Sequence, residues 1–545
     1  MRSMTPSGLL GSLLGRSDGS AALEDAIRAY LPRCRWFGGK ARGIRSVAVV
    51  ETIPVRLRSG RAFIAILEVS YGSGERERYL LPLAFASGSF ARKLLRRRRD
   101  LVVAQPGPGG RLDVILHDAA GSPEFCRCLL EAMARRIRSK GSGGTLVASG
   151  TPSLDLLAGR RSRGLAPSLG RAEQSNTTVV FGDRLILKLF RRLSPGENPD
   201  LEMGRFFQAR RFAGVPPLAG ALEYQAAHGG TTTLGILHTF LPGSRDAWSY
   251  TMGILGRYYG KIRRLSSARR AAPSSEGSLS ELAVGDIPCG LVAVLGTYAE
   301  AARLLGRRTA EMHLTLASER RNEAFTPEPF TRGYLRAFSR SLRDLVRRNF
   351  RLLESRLDTI PAQVRPHARE VLGLEGKCLR RFHRVLSLPL RSLRIRCHGD
   401  FHLGQILRAG SEFYFIDFEG EPARPLGERR IKHSPLRDVA GMVRSFHYAA
   451  HNALRVLKEK GRTSAVEMRA LEPWARLWYH LARSLYLKAY LESAKVLFAE
   501  KDDFWSLLDV HLLEKACYEL AYELDNRPDW VEIPLRGILD LLGES

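Results

Sequence analysis

Residues 397–421 read CHGDFHLGQILRAGSEFYFIDFEGE. Five carboxylates, two histidines and a glutamine gather there around two short apolar runs. Charged groups beside buried strands cost desolvation, so such a concentration marks chemistry more than packing. The runs QILRA and FYFIDF flank Gly410-Ser411-Glu412, which reads as a hairpin with a three-residue turn. Centred on Ser411, that register sets Gln405 opposite Asp417, with Cβ atoms about 5 Å apart on one face. Two oxygen donors so placed suit a hard divalent cation such as Mg²⁺. Asp400 precedes the hairpin in a loop, where a carboxylate can face a reacting hydroxyl. Glu419 lies two positions beyond Asp417, on the same face if the strand persists.

A second hairpin is predicted within EQSNTTVVFGDRLILKLF, residues 173–190. TTVVF and RLILKLF are β-rich runs joined by Gly182-Asp183, a two-residue link. That turn pairs Lys188 with Thr177 and Ile186 with Val179, while Leu185, Leu187 and Leu189 take the other face. A lysine in an apolar strand costs desolvation unless an anion meets it. The run Gln174-Ser175-Asn176-Thr177 at the far end of the hairpin offers N–H and hydroxyl groups to phosphate oxygens. An edge lysine that snorkels to water is the bland alternative. Next comes ENPDLEMGRFFQARRF, with Asn198 as N-cap and Pro199 at the first helical position. Glu202, early in that helix, either favours the helix dipole or forms an ion pair that steadies Lys188.

The rest of the chain sets bounds. Its 545 residues exceed one ordinary core, and 44% hydrophobic with 26% charged residues fits a soluble globular protein. Seven scattered cysteines with no CxxC pair suggest reduced thiols in the cytoplasm. No run approaches the roughly 18 apolar residues of a membrane span, so no membrane partner is expected. The net charge of +29, from 85 basic and 56 acidic residues, is spread along the chain and is mostly arginine. No aromatic-interleaved motif accompanies it, so nucleic acid is not expected as the partner.

Four segments follow from composition and periodicity. They are a flexible tail (1–20), an α+β cap module (21–119), a strand-rich region carrying the phosphate hairpin (120–245), and a helical part holding the catalytic loop (246–545). LSSARRAAPSSEGS, residues 265–278, reads as a loop or flexible insertion.

HGD, five residues to a side-chain oxygen donor, then IDFE is similar to the catalytic loop and metal aspartate of aminoglycoside-phosphotransferase-like, eukaryotic-type kinase folds. More narrowly, the chain resembles bacterial maltokinases in five stretches: RCRWFGGKARGI, EQSNTTVVFGDRLILKLFRRLSPGENPDLEMGRF, LLGRRTAEMHLTLA, CHGDFHLGQIL and FIDFEGEPARPLGERRIKHSPLRDVAGMVRSF. They run from about residue 31 to 450. The resemblance implies an α+β, bilobal kinase-like fold with an N-terminal cap and a large helical C-terminal lobe. It implies transfer of the ATP γ-phosphoryl group to the anomeric hydroxyl of maltose, giving maltose 1-phosphate for α-glucan and glycogen synthesis. Asp400 would then accept the sugar's proton, and Gln405 and Asp417, with Glu419 nearby, would hold Mg²⁺. Lys188, steadied by Glu202, would meet the α/β-phosphates, and Ser175, Asn176 and Thr177 would cover them. His402 and Arg424 become candidates for sugar or phosphate binding, while His398 and Asp438 brace the loop. Gln405 stands where most kinases of this fold carry asparagine, one methylene shorter, and the maltokinase pattern accommodates it. Trp36 and Phe37 of the opening motif are expected to pack in a core. A separate trehalose synthase is the functional partner implied.

Two other readings keep the same phosphoryl-transfer residues. One is a kinase for glucosamine, an aminoglycoside or a choline-type acceptor, though a basic protein attracts cationic acceptors poorly. The other is a nucleotide-binding pseudokinase, a class that usually loses the base, a metal ligand or the lysine.

Overall fold

The computed structural model describes residues 17–105, 114–158, 164–170, 175–264, 272, 285, 287–387, 390–421, 424–459, 461, 464–498 and 500–543. Gln174, most of the expected 265–278 insertion and residues 1–16 of the expected tail lie outside them. Two compact units divide the chain, one ending at Pro242 and the other beginning at Gly243.

The first unit opens with helix α1 (Ser17–Tyr30), which starts inside the segment expected to be a tail. Strands β1 (Ile44–Leu57), β2 (Gly60–Tyr71), β3 (Arg76–Ser87), β4 (Val102–Ala104) and β5 (Val114–Asp118) form an antiparallel sheet in the order β1-β2-β3-β5-β4. The two-residue side-chain period explains why β2 is apolar on both faces. Ala65, Leu67 and Val69 pack with Leu23 and Ile27 of α1. Ala62, Ile64 and Ile66 face the opposite way, toward helix α2 (Pro123–Ala134) through Phe125 and Leu129. Phe37 is buried in the α1 core and Trp36 packs against it, as expected.

A second sheet is built from β6 (Arg138–Lys140), β7 (Gly144–Gly150), β8 (Pro167–Leu169), β9 (Asn176–Phe181) and β10 (Leu185–Phe190). After β11 (Arg192–Leu193), which pairs with β3, and helix α3 (Pro199–Ala209) come β12 (Leu218–Ala226) and β13 (Thr231–Thr239). The order is β6-β7-β12-β13-β10-β9-β8. Leu185, Leu187 and Leu189 enter the core shared with Val179 and Phe181. Full burial of each such leucine is worth about 1.5–3 kcal/mol, which fixes the face on which Lys188 must stand.

The second unit is largely helical. Strand β14 (Arg245–Asp246) is followed by α4 (Ala247–Arg263), α5 (Tyr298–Leu316), β15 (Glu328–Pro329) and α6 (Arg332–Ser355). Strands β16 (Leu393–Arg394), β17 (Ile406–Ala409) and β18 (Glu412–Phe415) precede α7 (Leu436–Glu459), α8 (Ala465–Ala494), α9 (Lys501–Asn526) and α10 (Glu532–Gly543). Leu342, Val346 and Phe350 of α6 interlock with Leu513, Ala516 and Leu520 of α9 and with Leu535 and Ile538 of α10. These positions repeat every three or four residues, the helical period of a buried stripe. The sheet β14-β17-β18 carries the hairpin of the opening motif. Among the described residues, no single helix is long and apolar enough to cross a membrane.

Both hairpins form, but neither in the expected register. In the first, Leu185 closes against Phe181, so the link is Gly182-Asp183-Arg184 and Lys188 pairs with Thr178 instead of Thr177. Gly182 takes φ 61°, and the Arg184 carbonyl accepts from the Phe240 N–H at 2.7 Å, so Arg184 is spent outside the ladder. In the second, Glu412 pairs with Ala409, leaving the two-residue turn Gly410-Ser411 with Gly410 at φ 60°. A glycine with positive φ fits the tight turns that match strand twist. Arg308 holds the Glu412 carboxylate at 2.7 and 2.9 Å, keeping that residue in the strand.

Candidate active site

In the first unit Lys188 is largely buried on the sheet, and its ammonium lies 3.5 Å from Asp200 Oδ2. The sequence motif that sets this is Asn198-Pro199-Asp200. Asn198 caps α3, its side chain accepting from the Asp200 N–H at 2.8 Å, and Pro199 takes the first turn as expected. Asp200 thereby enters the helix start at 5% exposure, a partner for the lysine that sequence reading did not single out. Glu202 is half-buried in the same first turn.

The register change redistributes the polar residues of β9. Thr178, not Thr177, now shares a face with Lys188. Its hydroxyl is buried with no hydrogen-bond partner among the described residues. Thr177 faces the other way, and its Oγ1 accepts a 2.7 Å bond from Arg191 Nε. That guanidinium is itself fixed by Asp118 at 2.6 Å and by stacking 4.7 Å over Trp36. Ser175 is exposed and Asn176 half-buried at the end of the hairpin.

In the second unit the HGD loop is held by backbone bonds to one carboxylate. Asp438, near the start of α7, accepts from the His398 N–H at 2.7 Å and the Gly399 N–H at 3.0 Å. His313 of α5 approaches the same carboxylate at 3.2 Å. Burial raises the Asp438 carboxyl, but the His313 bond and the nearby ring of His398 outweigh it, so it lies below its ordinary range. His398 Nε2 also meets the Ile416 carbonyl at 2.9 Å, tying the loop to the hairpin. The bracing roles expected of His398 and Asp438 are thus visible as bonds. Gly399 is required twice over: its φ is 86°, and a Cβ there would stand 3.1 Å from Gly420 Cα.

Asp400 projects from this loop, gripped at each oxygen. Oδ2 lies 3.7 Å from His402 Nε2 and Oδ1 lies 3.9 Å from Lys515 Nζ of α9. His402 Nδ1 accepts the Gly404 N–H at 3.0 Å, which leaves the ring proton on Nε2, facing Asp400. Burial pushes the Asp400 carboxyl up. The His402 interaction and the Lys515 charge more than cancel that and hold it below the usual carboxylate range. An ionised carboxylate is the form a proton acceptor needs.

The hairpin register correction carries to the cation candidates. Strand β18 ends at Phe415, so Asp417 and Glu419 stand in the turn beyond it and not on a continuing strand face. The Ile416 N–H donates to the Gln405 carbonyl at 3.0 Å, so Ile416, not Asp417, faces Gln405 along the backbone. Asp417 recovers the contact by a left-handed backbone, φ 67°, one of three non-glycine residues with positive φ among the described residues. That conformation turns its carboxylate back, and Gln405 Nε2 donates to Asp417 Oδ2 at 3.0 Å. Strain of this kind persists where surroundings over-determine it, often at functional sites. Carboxylate oxygens of Asp417 and Glu419 approach within 4.8 Å. Two carboxylates and an amide that presents Oε1 on rotation make an all-oxygen set, which fits a hard cation such as Mg²⁺.

Beside Asp400, the second unit has a recess lined by Gly399, Glu421, Arg424, Arg437, Glu514 and Lys515. It shares Glu421, Arg424, Arg437 and Glu514 with a cavity of about 510 Å³. The acids on this wall are already matched. Glu421 accepts from Arg424 Nε at 2.6 Å and lies 3.6 Å from Arg437. His511 Nδ1 donates to Glu514 at 2.8 Å. Burial raises the Glu514 carboxyl, but His511 and Arg437 win and bring it down to about 2. Glu514, Lys515 and Tyr518 come from EKACY on α9, which sequence reading passed over. Charged residues beside a buried helical stripe look the same whether they face a cavity or open water.

With this geometry in place, comparison with known proteins places the chain. Residues 30–121 match the maltokinase N-terminal cap domain family. Glucosamine kinase of Streptacidiphilus jiangxiensis is 26% identical over 400 residues, covering 70% of this chain and 75% of that protein. Glucosamine kinase of Mycolicibacterium smegmatis is 24% identical over 374 residues, covering 68% of this chain and 79% of that one. A solved glucosamine kinase in complex with glucosamine, ADP and inorganic phosphate superposes with a TM-score of 0.59 at 19% identity, covering 96% of this chain and 98% of that one. At that identity the likeness shows a shared fold, the α+β kinase-like fold with an N-terminal cap and a large helical C-terminal part.

Proposed function

We propose that this chain, a maltokinase-like phosphotransferase of the aminoglycoside-phosphotransferase-like fold, transfers the γ-phosphoryl group of ATP to the anomeric hydroxyl of maltose, giving ADP and maltose 1-phosphate. The observation that carries this reading is the recess at Asp400, whose carboxylates are all matched by guanidinium or imidazole groups while Lys515 adds positive charge. Such a wall favours a neutral polyhydroxyl acceptor over a protonated amine. The adjoining cavity of about 510 Å³ lies in the range that takes a small ligand.

Phosphoryl transfer passes through a loose transition state, so positioning and charge neutralisation supply most of the catalysis. Asp400 orients the acceptor hydroxyl and takes its proton. Lys188, held by Asp200 and steadied by Glu202, meets the α/β-phosphates of ATP. Ser175 and Asn176 at the hairpin end, with Thr178 in place of Thr177, offer groups to its phosphate oxygens. Gln405 and Asp417, with Glu419, would hold Mg²⁺, which would supply neutralisation of phosphate charge. His402 keeps Asp400 in place, and Arg424 shapes the acceptor wall through Glu421. A trehalose synthase would supply the maltose, and the product would feed glycogen synthesis. Seven free thiols support a cytoplasmic location.

The relatives make glucosamine the second reading, and an acceptor panel separates the two. ADP release with Mg²⁺ is measured against maltose, glucose, glucosamine and an aminoglycoside, and phosphorus NMR identifies an anomeric phosphate. Maltose is expected to give the highest kcat/KM, and Asp400→Asn should lower kcat about 10²–10⁴-fold. A preference for glucosamine would replace maltose as the substrate. Full activity in Asp400→Asn would remove the proton-acceptor role.

A further inference from the structure

Helix α6 reads RGYLRAFSRSLRDLVRRNFRLLES, and most of its arginines gather on one side. Arg332, Arg336, Arg340, Arg343, Arg347 and Arg351 recur every three or four residues, so they fall within about 100° of one helix face. At 1.5 Å per residue the stripe runs about 28 Å. Leu335, Leu342, Val346 and Leu353 fix its rotation, because they lock the apolar side into the core with α9 and α10. Five of the six arginines are exposed and Arg343 is half-buried. Among the described residues none of the six guanidiniums meets a hydrogen-bond acceptor or a carboxylate, and the helix's own acids, Asp344 and Glu354, pair with none of them. Arg343 Nε is shielded and unsatisfied. Other helices of this unit answer their arginines one turn away: Arg455 with Glu459, Arg527 with Glu523 and Arg536 with Glu532, at 2.5–2.8 Å. We propose that the α6 stripe is a docking surface for the phosphate backbone of a double-stranded nucleic acid.

Like charges three and four residues apart repel along a helix, so an unpaired stripe of six calls for an external anion. Guanidinium groups bind phosphate oxygens bidentately, and about 28 Å of straight helix spans the rise of about eight base pairs. Among the described residues the stripe carries no exposed large apolar or aromatic side chain. A membrane surface would need an apolar anchor there, single strands a stacking platform, and a protein partner a buried hot spot. A duplex backbone needs only positive charge along a line. The missing aromatic-interleaved motif therefore removes base reading and leaves backbone binding open. The net charge of +29 supplies long-range attraction. The surface is separate from the acceptor recess, because Ser341, Leu345 and Arg348, on another flank of α6, line the cavity of about 510 Å³.

Fluorescence anisotropy with labelled duplexes of DNA and of RNA, each about 20 base pairs, over about 25–200 mM KCl tests this. The wild type is expected to bind, with log K falling against log salt at a slope of about −5. Arg336→Gln, Arg340→Gln and Arg347→Gln combined should weaken binding about tenfold or more at about 50 mM KCl and make the slope shallower by roughly 3. The same three positions changed to lysine should keep both values. Arg92→Gln, Arg96→Gln and Arg97→Gln on the exposed side of the cap helix Gly88–Arg97 remove the same charge and should change binding less than about threefold. Melting temperature and ADP release are expected to be unchanged in both triple variants. Binding of DNA alone or RNA alone supports the proposal and identifies the duplex. No binding by the wild type at about 25 mM KCl, or an equal loss in the two glutamine triples, overturns it. Tighter binding to poly-glutamate or to phosphatidylserine vesicles than to either duplex also overturns it. If the triple variant does not fold, single Arg→Gln changes carry the test, each expected to make the slope shallower by about 1.

Discussion

Two hairpins carry the candidate chemistry, β9–β10 in the first unit and β17–β18 in the second, and they respond differently to the same kind of misreading. Each is displaced by one residue from the register that its turn sequence suggested, the first by a longer link and the second by a shorter one. Lys188 is indifferent to the shift, because it lies within β10 and alternation along its own strand fixes its face. Its cross-strand partner is not indifferent, and Thr178 replaces Thr177 beside it. Asp417 lies past the end of β18, where no ladder dictates its direction. Its contact with Gln405 survives through a left-handed backbone angle. Residues inside a strand are placed by pattern, and residues beyond its end by local backbone geometry.

Asp417→Asn attacks the second hairpin at its most demanding point. Asparagine tolerates positive φ, so folding should persist while the cation loses a charged ligand. Activity is expected to drop about 10²–10³-fold with a raised Mg²⁺ requirement, read from rates over a Mg²⁺ titration. Normal Mg²⁺ dependence would break the comparison, because the contact would then be structural only.

Asp438 anchors the loop that is tied to this hairpin, and its folded carboxyl lies below the ordinary value of 3.8. A depressed carboxyl contributes stability that is present above that value and is lost as pH falls through the lower folded one. Asp438→Asn should therefore lose stability at neutral pH, by about 1–3 kcal/mol, and show a flatter acid limb than wild type in denaturant titrations. Equal acid limbs in the two proteins would point to other carboxylates.

The first hairpin is sharpened by a pair of substitutions. Thr178→Val, on the lysine face, should raise ATP KM several-fold, by about 1 kcal/mol of lost hydrogen bonding, with little change in melting temperature. Thr177→Val should do the reverse, since it removes the acceptor for Arg191. Swapped outcomes would restore the two-residue link. The smallest effect belongs to Gly410→Ala, where a Cβ meets nothing within 4 Å and only the φ of 60° resists. A loss of about 1 kcal/mol with unchanged kinetics is expected from unfolding curves.

The strand-rich part, the helical part, both hairpins and the cap of α3 at Asn198-Pro199 were legible because each rests on local rules. Side-chain alternation, helix periodicity, glycine turns and capping need only neighbours in the chain. The identity of Asp200 beside Lys188 was hidden, since Asp200 and Glu202 both sit in the first turn of α3 and only packing against the sheet selects a face. Lys515 was hidden more deeply, because it lies 115 positions from Asp400 in sequence and meets it through the fold of the helical unit.

By itself, then, the sequence determined which elements form and which polar groups they must carry, because those follow from short-range sterics and the hydrophobic period. Only the tertiary structure decided the two registers, the backbone of Asp417 and the charge balance around Asp400. Those depend on hydrogen bonds and electrostatic fields supplied by residues distant along the chain, which no local pattern encodes.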